Sequence, residues 1–378
     1  MRMGNLGRTV LRLSRIPLEF LPIFLMACLP AAAQLSPTEP DPLARIRDTA
    51  RTNVEACSAT GETLCEQVAP KIIANAQGDS PLAENLRRLA GAQGHTSGPS
   101  AEPAPIAWAV AAFRDAGVEA HTEGFDGPGG SEGASHQKEN VVAEIRGREK
   151  PDEWVLLGAR LDSSGAGAGD EACNAALVIE AARDIQLTGI HPRRSIRFVL
   201  FDGQNRGMNG SWAYVRAHRG ELDRARAVVL FDAAANPVTG FALNGRRDIE
   251  SGVREAMKPI DSMGASNHSF NAPLEQPGLD FLLEGIPTIV AAASKANNPR
   301  GPHTAPDSVE TIDIKELKRN TAIAAVTAFG VAERAEPIGP RQFRSEIESL
   351  LKSSGLEEQM KIAGLWSLWE SGQRGRLY

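Results

Sequence analysis

The sequence predicts a three-layer α/β/α sandwich around a mixed, mostly parallel central sheet. Five short runs are almost wholly apolar, as strands covered on both faces should be. Helical segments alternate with or follow these runs, the pattern of helices packed on both sides of one sheet. A chain of 378 residues, 42% hydrophobic and 23% charged, is long enough to bury one large core and still carry extensions.

Residues 1–33 read as an export signal. Arg2, Arg8, Arg12 and Arg15 make a basic start, "IPLEFLPIFLMACLP" is an apolar stretch too short to span a bilayer comfortably, and "AAAQ" offers cleavage after Ala33. A second processing route is open, because "LMAC" looks like a lipid-attachment box that would tether the chain through Cys28. Either route predicts an exported protein, periplasmic or extracellular, with no integral span after processing. Removing four arginines and Glu19 from the 41 basic and 47 acidic residues leaves 37 against 46, a net of −9. That balance argues against nucleic acid or an anionic membrane as partner.

Residues 34–79 form a linker and helical appendage. "LSPTEPDPL" is proline-rich, and Cys57 and Cys65 in "CSATGETLC" either close a small loop in an oxidising compartment or stay reduced and buried. Residues 80–335 are the main α/β domain. "PLAENLRRLAG" and "PIAWAVAAFRDAGV" are amphipathic helices, the second aligning Ile106, Val110 and Phe113 on one face and stopping at Gly117. A glycine-rich loop, "GFDGPGGSEGASHQ", follows. The strands are "NVVAEI", "WVLLGA", "SIRFVLF", "AVVLFD" and "PTIVAAA", with helices over "AALVIEAARDIQL" and "KELKRNTAIAAVTAFGVAERA". Residues 336–378 are a helical extension in which Trp366 and Trp369 give an apolar edge suited to packing on the main domain.

Neither a repeat nor a phosphate-binding glycine loop is present; "GAGAGD" lacks the lysine that would reach a phosphate. The candidate chemistry sits where strands end, the usual place for it in open α/β sheets. Arg160 and Asp162 lie beyond one strand, Asp170 at the entrance of the next helix, Gln204 and Asn205 in a turn after a second strand, and Asp232 at the end of a third. "GPHTAPDSV" adds His303 and Asp307 on a later loop.

These segments resemble the di-zinc exopeptidases of metallopeptidase family twenty-eight, the aminopeptidase and glutamate carboxypeptidase type. The likeness covers about residues 80–333. "GARLD" (158–162) is similar to the family's GAHxD, "DEACNAALVIEAAR" (170–183) to DNGSGVAALLEAAR, "FVLFDGQNRGMNGSWAY" (198–214) to FxxFxGEExGLxGSxAY, and "HTAPDS" (303–308) to HTxxDT. The resemblance implies that Arg160 and Asp232 occupy the ligand positions of one zinc, Asn205 and His303 those of the other, and Asp170 the bridging position. It implies that Gln204 stands at the position of the general base, with Asp162 and Asp307 behind the ligands.

Three ligand positions survive, Asp170, Asp232 and His303, while Arg160, Gln204 and Asn205 are substituted. Zinc takes imidazole, thiolate or carboxylate donors. Arginine is a permanent cation, asparagine's amide oxygen is a weak donor for zinc, and glutamine accepts no proton, which forfeits about 10²–10⁴-fold in rate. Arg160 can pair with Asp170 or Asp232 and so replace metal charge. The expectation is a catalytically inactive pseudopeptidase that binds a peptide or protein ligand with no cofactor. The alternative is an active metallo-hydrolase on a reduced or shifted site, zinc being the metal if any binds, and a variant of it borrows from the single-zinc glutaminyl cyclases of the same fold. His95, His121, His136, His191, His218 and His268 match no family position, and Cys173 reads as a small buried helix residue.

Overall fold

Alternation along each apolar run sorts its side chains onto two faces of one sheet. The computed structural model describes residues 61–93, 105–126, 138–161, 168–203, 209–272, 274, 278–294 and 312–378, all within one compact unit, Ile46–Tyr378. Its strands are β1 (Ala120–Phe125), β2 (Lys138–Ile145), β3 (Lys150–Arg160), β4 (Arg194–Phe201), β5 (Ala225–Phe231), β6 (Val238–Ala242) and β7 (Thr288–Ala293), in the spatial order β1-β2-β4-β3-β5-β7-β6. The central strands β4, β3, β5 and β7 run parallel, whereas β1, β2 and β6 pair antiparallel at the flanks. The sheet is therefore mixed, with its parallel part in the middle. β1 and β6 add two strands to the five apolar runs, and both lie at edges, where a continuous apolar signal is not required.

The helices are α1 (Gly61–Gln77), α2 (Leu82–Gln93), α3 (Pro105–Asp115), α4 (Ala168–Gln186), α5 (Asn209–Ala217), α6 (Glu250–Met257), α7 (Gly278–Leu283), α8 (Ile314–Glu333), α9 (Arg344–Ser353), α10 (Leu356–Ile362) and α11 (Trp366–Glu370). Val155, Leu157 and Ala159 of β3 join Phe198 and Leu200 of β4 in a large core under α1, α4 and α8. The intervening residues, Trp154, Leu156, Val199 and Phe201, join Tyr214 of α5 and Phe281 of α7 in a second core on the other face. Period two thus makes the three layers. α8 begins at Asp313, whose Oδ1 accepts from the backbone N–H of Lys315 (2.9 Å) and Glu316 (3.2 Å), a cap of about 1 kcal/mol.

The C-terminal helices form a third cluster. Leu351, Leu356, Met360 and Trp369 pack on Leu279 and Leu283 of α7. Behind them the buried Arg374 donates to both carboxylate oxygens of buried Asp280 (2.7 and 3.0 Å), which also accepts from the Ser211 hydroxyl (2.6 Å). One ion pair therefore ties the chain's end to α7 and α5. Among the described residues no helix is long and apolar enough to cross a membrane. The expected signal segment, Cys28 and Cys57 lie outside them, as does the side chain of Cys65.

Candidate functional site at the strand ends

The order of the crossovers decides where a cleft opens. The chain leaves β3 through α4 on one face to reach β4, then leaves β4 through α5 on the other face to reach β5, which lies on the far side of β3. The connections diverge around β3, and such switch points open a crevice at the carboxyl ends of the strands. Register brings those ends level: Arg160 is the partner of Phe201, and Ala159 the partner of Phe231. Arg160, Asp202 and Asp232 consequently step off three neighbouring strands together.

Arg160 is partly buried, and its guanidinium faces two carboxylates. Nη2 lies 3.5 Å from Glu171 Oε1 and Nη1 lies 4.0 Å from Asp232 Oδ1. Glu171 is buried in the first turn of α4, where the helix N-terminus favours negative charge. Asp232 keeps about a quarter of its side chain in solvent (25%). Its loop is held by two buried asparagines. Asn174 Oδ1 accepts from the Ala234 N–H (2.8 Å), and Asn320 donates to the carbonyls of Ala234 (2.9 Å) and Asn236 (2.8 Å) while accepting from the Val238 N–H (3.2 Å).

The turn after β4 is closed at its base by a third. Buried Asn140 donates to the Gly210 carbonyl (2.9 Å) and accepts from the Asp202 N–H (3.2 Å). Gly203 takes φ +70°, and a β-carbon on Gly210 would stand 2.1 Å from the Asp202 carbonyl oxygen. Only glycine lets α5 approach the strand end that closely.

Of the residues singled out in the sequence, the structure therefore brings Arg160 and Asp232 together. Asp170 stands in the first turn of α4, its side chain outside the described part, and Asp162, Gln204, Asn205, His303 and Asp307 lie outside the described residues. Among the described residues no group of three or more His, Cys, Asp or Glu side chains is placed to hold a metal. Glu171 was not anticipated. Its signal was a second acid directly after Asp170, one position along a helix that starts opposite a cation. Asn140, Asn174 and Asn320 were not anticipated either, since a buried amide leaves no periodic trace.

The switch-point sheet defines a mixed α/β domain with its candidate site at the strand ends. Residues 140–328 match the profile of Peptidase family M28, and the chain belongs to that family. Human carboxypeptidase Q is 27% identical over 203 residues, 52% of this chain and 42% of that protein. Human transferrin receptor protein 2 is 30% identical over 141 residues, 36% of this chain and 17% of that protein. The chain thus matches less than half the length of these relatives. Among solved structures, a peptidase M28 precursor from Shewanella amazonensis SB2B superposes with a TM-score of 0.63 at 17% identity, covering 74% of this chain and 99% of its own. LapA from Legionella pneumophila gives 0.56 at 18%, covering 72% and 77%. Glutaminyl cyclase from Porphyromonas gingivalis gives 0.52 at 19%, covering 65% and 96%. These superpositions establish the fold.

Proposed function

We propose that this chain is an exported member of Peptidase family M28 whose metal site has become an ion-pair network, and that it binds a peptide or protein ligand rather than cleaving it. The observation that carries the proposal is Arg160, whose guanidinium is turned toward Asp232 and Glu171 at a position that the sequence resemblance assigns to a zinc ligand. A guanidinium is always charged and only donates hydrogen bonds, so the donor set around Asp232 does not fit zinc at that position. Gln204 and Asn205, neutral where the family has two glutamates, support the same conclusion from sequence. Replacing two metal ions while keeping every carboxylate would leave buried negative charge uncompensated, which is costly. Here two acids have become amides and one cation has been added.

The chain's own residues can then bind but not hydrolyse. Arg160 can orient a carboxylate or carbonyl at the floor of the cleft, and neither amide can take a proton from water. A receptor among the relatives supports a binding role, and export rests on the sequence of residues 1–33. The test is hydrolysis of a panel of aminoacyl and C-terminal peptide substrates with and without added zinc. No turnover above background is expected from the wild type. Zinc-dependent turnover abolished by Asp170→Asn or His303→Ala would establish instead a metallo-hydrolase on the three surviving ligand positions.

A further inference from the structure

About two and a half turns beyond Glu171, α4 borders a second cleft on the side facing α2 and α3. It encloses about 360 Å³, within the range of small-ligand pockets, roughly 300–1,000 Å³. Trp108, Ala112 and Ile179 supply apolar wall, and Glu180 contributes a carboxylate. The Glu180 side chain is fully buried (0%). Its Oε1 accepts from Arg183 Nη1 at 2.9 Å, while Oε2 has no hydrogen-bond partner. One turn on, Asp184 is equally buried and neither of its carboxylate oxygens has a hydrogen-bond partner. A buried acceptor left without a donor is destabilising, more so when charged. The cations facing the pair are Arg183 on α4 and Lys318 on α8.

The open valence in this cleft is thus a hydrogen-bond acceptor on Glu180. The two arginines on its wall are already engaged, Arg88 Nε with Glu84 Oε1 (2.8 Å) and Arg183 with Glu180, and Asp115 adds a further acid to the rim. An anion entering here would meet three carboxylates and two occupied guanidiniums. A primary ammonium would satisfy Oε2 with a charge-assisted hydrogen bond, and an apolar body would lie against Trp108 and Ile179.

We propose that the cleft between α2, α3 and α4 is a second ligand site, taking a small molecule that carries a primary ammonium on an aromatic or aliphatic body. Glu171 and Glu180 are nine residues apart on one helix, about 14 Å at 1.5 Å per residue. The two sites are therefore separate, and the proposal does not depend on the state of the metal positions.

Calorimetric titration of the full chain with 2-phenylethylamine, 2-phenylethanol and 3-phenylpropanoate tests it, since these probes share one body and differ in charge. Saturable one-to-one binding of the amine is expected, at least tenfold tighter than the alcohol, with the anion weakest. Glu180→Gln should weaken the amine at least tenfold and leave the alcohol unchanged, while Trp108→Ala should weaken both. Amine and alcohol binding alike, tighter binding of the anion, or no saturable amine binding would overturn the proposal. The indole N–H resonance of Trp108, assigned by its loss in Trp108→Ala, gives a readout on the unmutated carboxylate. It should move with the amine and stay with the anion, and a resonance indifferent to the amine would equally refute the site.

Discussion

The two ends of α4 hold the same side chains in the same proportion, one arginine to two acids, in opposite electrostatic settings. At the N-terminal end Arg160 faces Glu171 and Asp232, and all three groups come from different elements at the mouth of a cleft. The positive end of the helix lies beside them, and Asp232 remains partly in water. Further along, Arg183 stands 2.9 Å from Glu180 and 3.6 Å from Asp184, all on one helix, with both acids fully buried. Burial pushes both acids upward, and the neighbouring Glu180 charge adds to the rise at Asp184, carrying it to about 8 against the opposing influence of Arg183 and Lys318. At the buried end desolvation opposes ionisation of both acids, and at Asp184 it prevails over the neighbouring cations.

The largest effect that sharpens this comparison is at the buried end. The folded state holds the Asp184 proton up to about pH 8, whereas the unfolded chain releases it near pH 4. Stability contributed by this group is thus full below pH 4 and falls as pH rises toward 8, by about 1.4 kcal/mol per pH unit. Asp184→Asn removes the titration, so urea unfolding should show the variant gaining on the wild type progressively from pH 4 to pH 8. A difference that does not change with pH would mean that Asp184 is ionised in the fold, and the contrast between the ends would disappear.

At the cleft end the expected change has the opposite sign. In the metal-free protein, Arg160→His takes away the cation facing buried Glu171 and partly solvated Asp232 and should lower stability at pH 8 by roughly 2–3 kcal/mol, below the range for breaking a fully buried pair. An unchanged melting temperature would show that the guanidinium does not balance those acids. A smaller effect is expected at Asn174. Asn174→Ala leaves the Ala234 N–H without its partner and should cost about 1–2 kcal/mol, with the Asp232 loop exchanging its amide protons faster. Equal protection in wild type and variant would mean that the loop is held by Asn320 alone.

The contrast also separates what a sequence carries from what it does not. The strands were legible because β3, β4 and β5 are covered on both faces and so are apolar without interruption. β1, with His121, Thr122 and Glu123 in succession, offered no such run, since an edge strand half in solvent needs only one apolar face. At the site, the motif segments placed Arg160 and Asp232 at the ends of two strands, and the sheet order and parallel register bring those ends side by side. Glu171 escaped notice because its importance comes from the strand end that α4 packs against, which spacing along one helix does not encode. His218 is similar: it sits between Glu123 (2.9 Å) and Glu221 (2.5 Å), and its link to Glu123, 95 residues away, exists only after β1 has joined the sheet. Asn140, Asn174 and Asn320 act through backbone groups of distant loops, and nothing local in the sequence marks an amide for that task.

Zinc titration of the metal-free wild type beside the triple variant Arg160→His, Gln204→Glu, Asn205→Glu tests the central claim most directly. Metal binding depends on ligand identity and geometry and so is a sturdier readout than turnover, which about 1 Å of misplacement can reduce ~10²-fold. Calorimetry should show no saturable zinc binding by the wild type at micromolar metal and close to two equivalents bound by the triple variant, because the sequence resemblance assigns Asp170, Asp232 and His303 to the family's ligand positions. Stoichiometric zinc in the wild type would contradict the replacement of metal charge by Arg160. A folded triple variant that binds no zinc would show instead that the surviving ligand positions no longer converge.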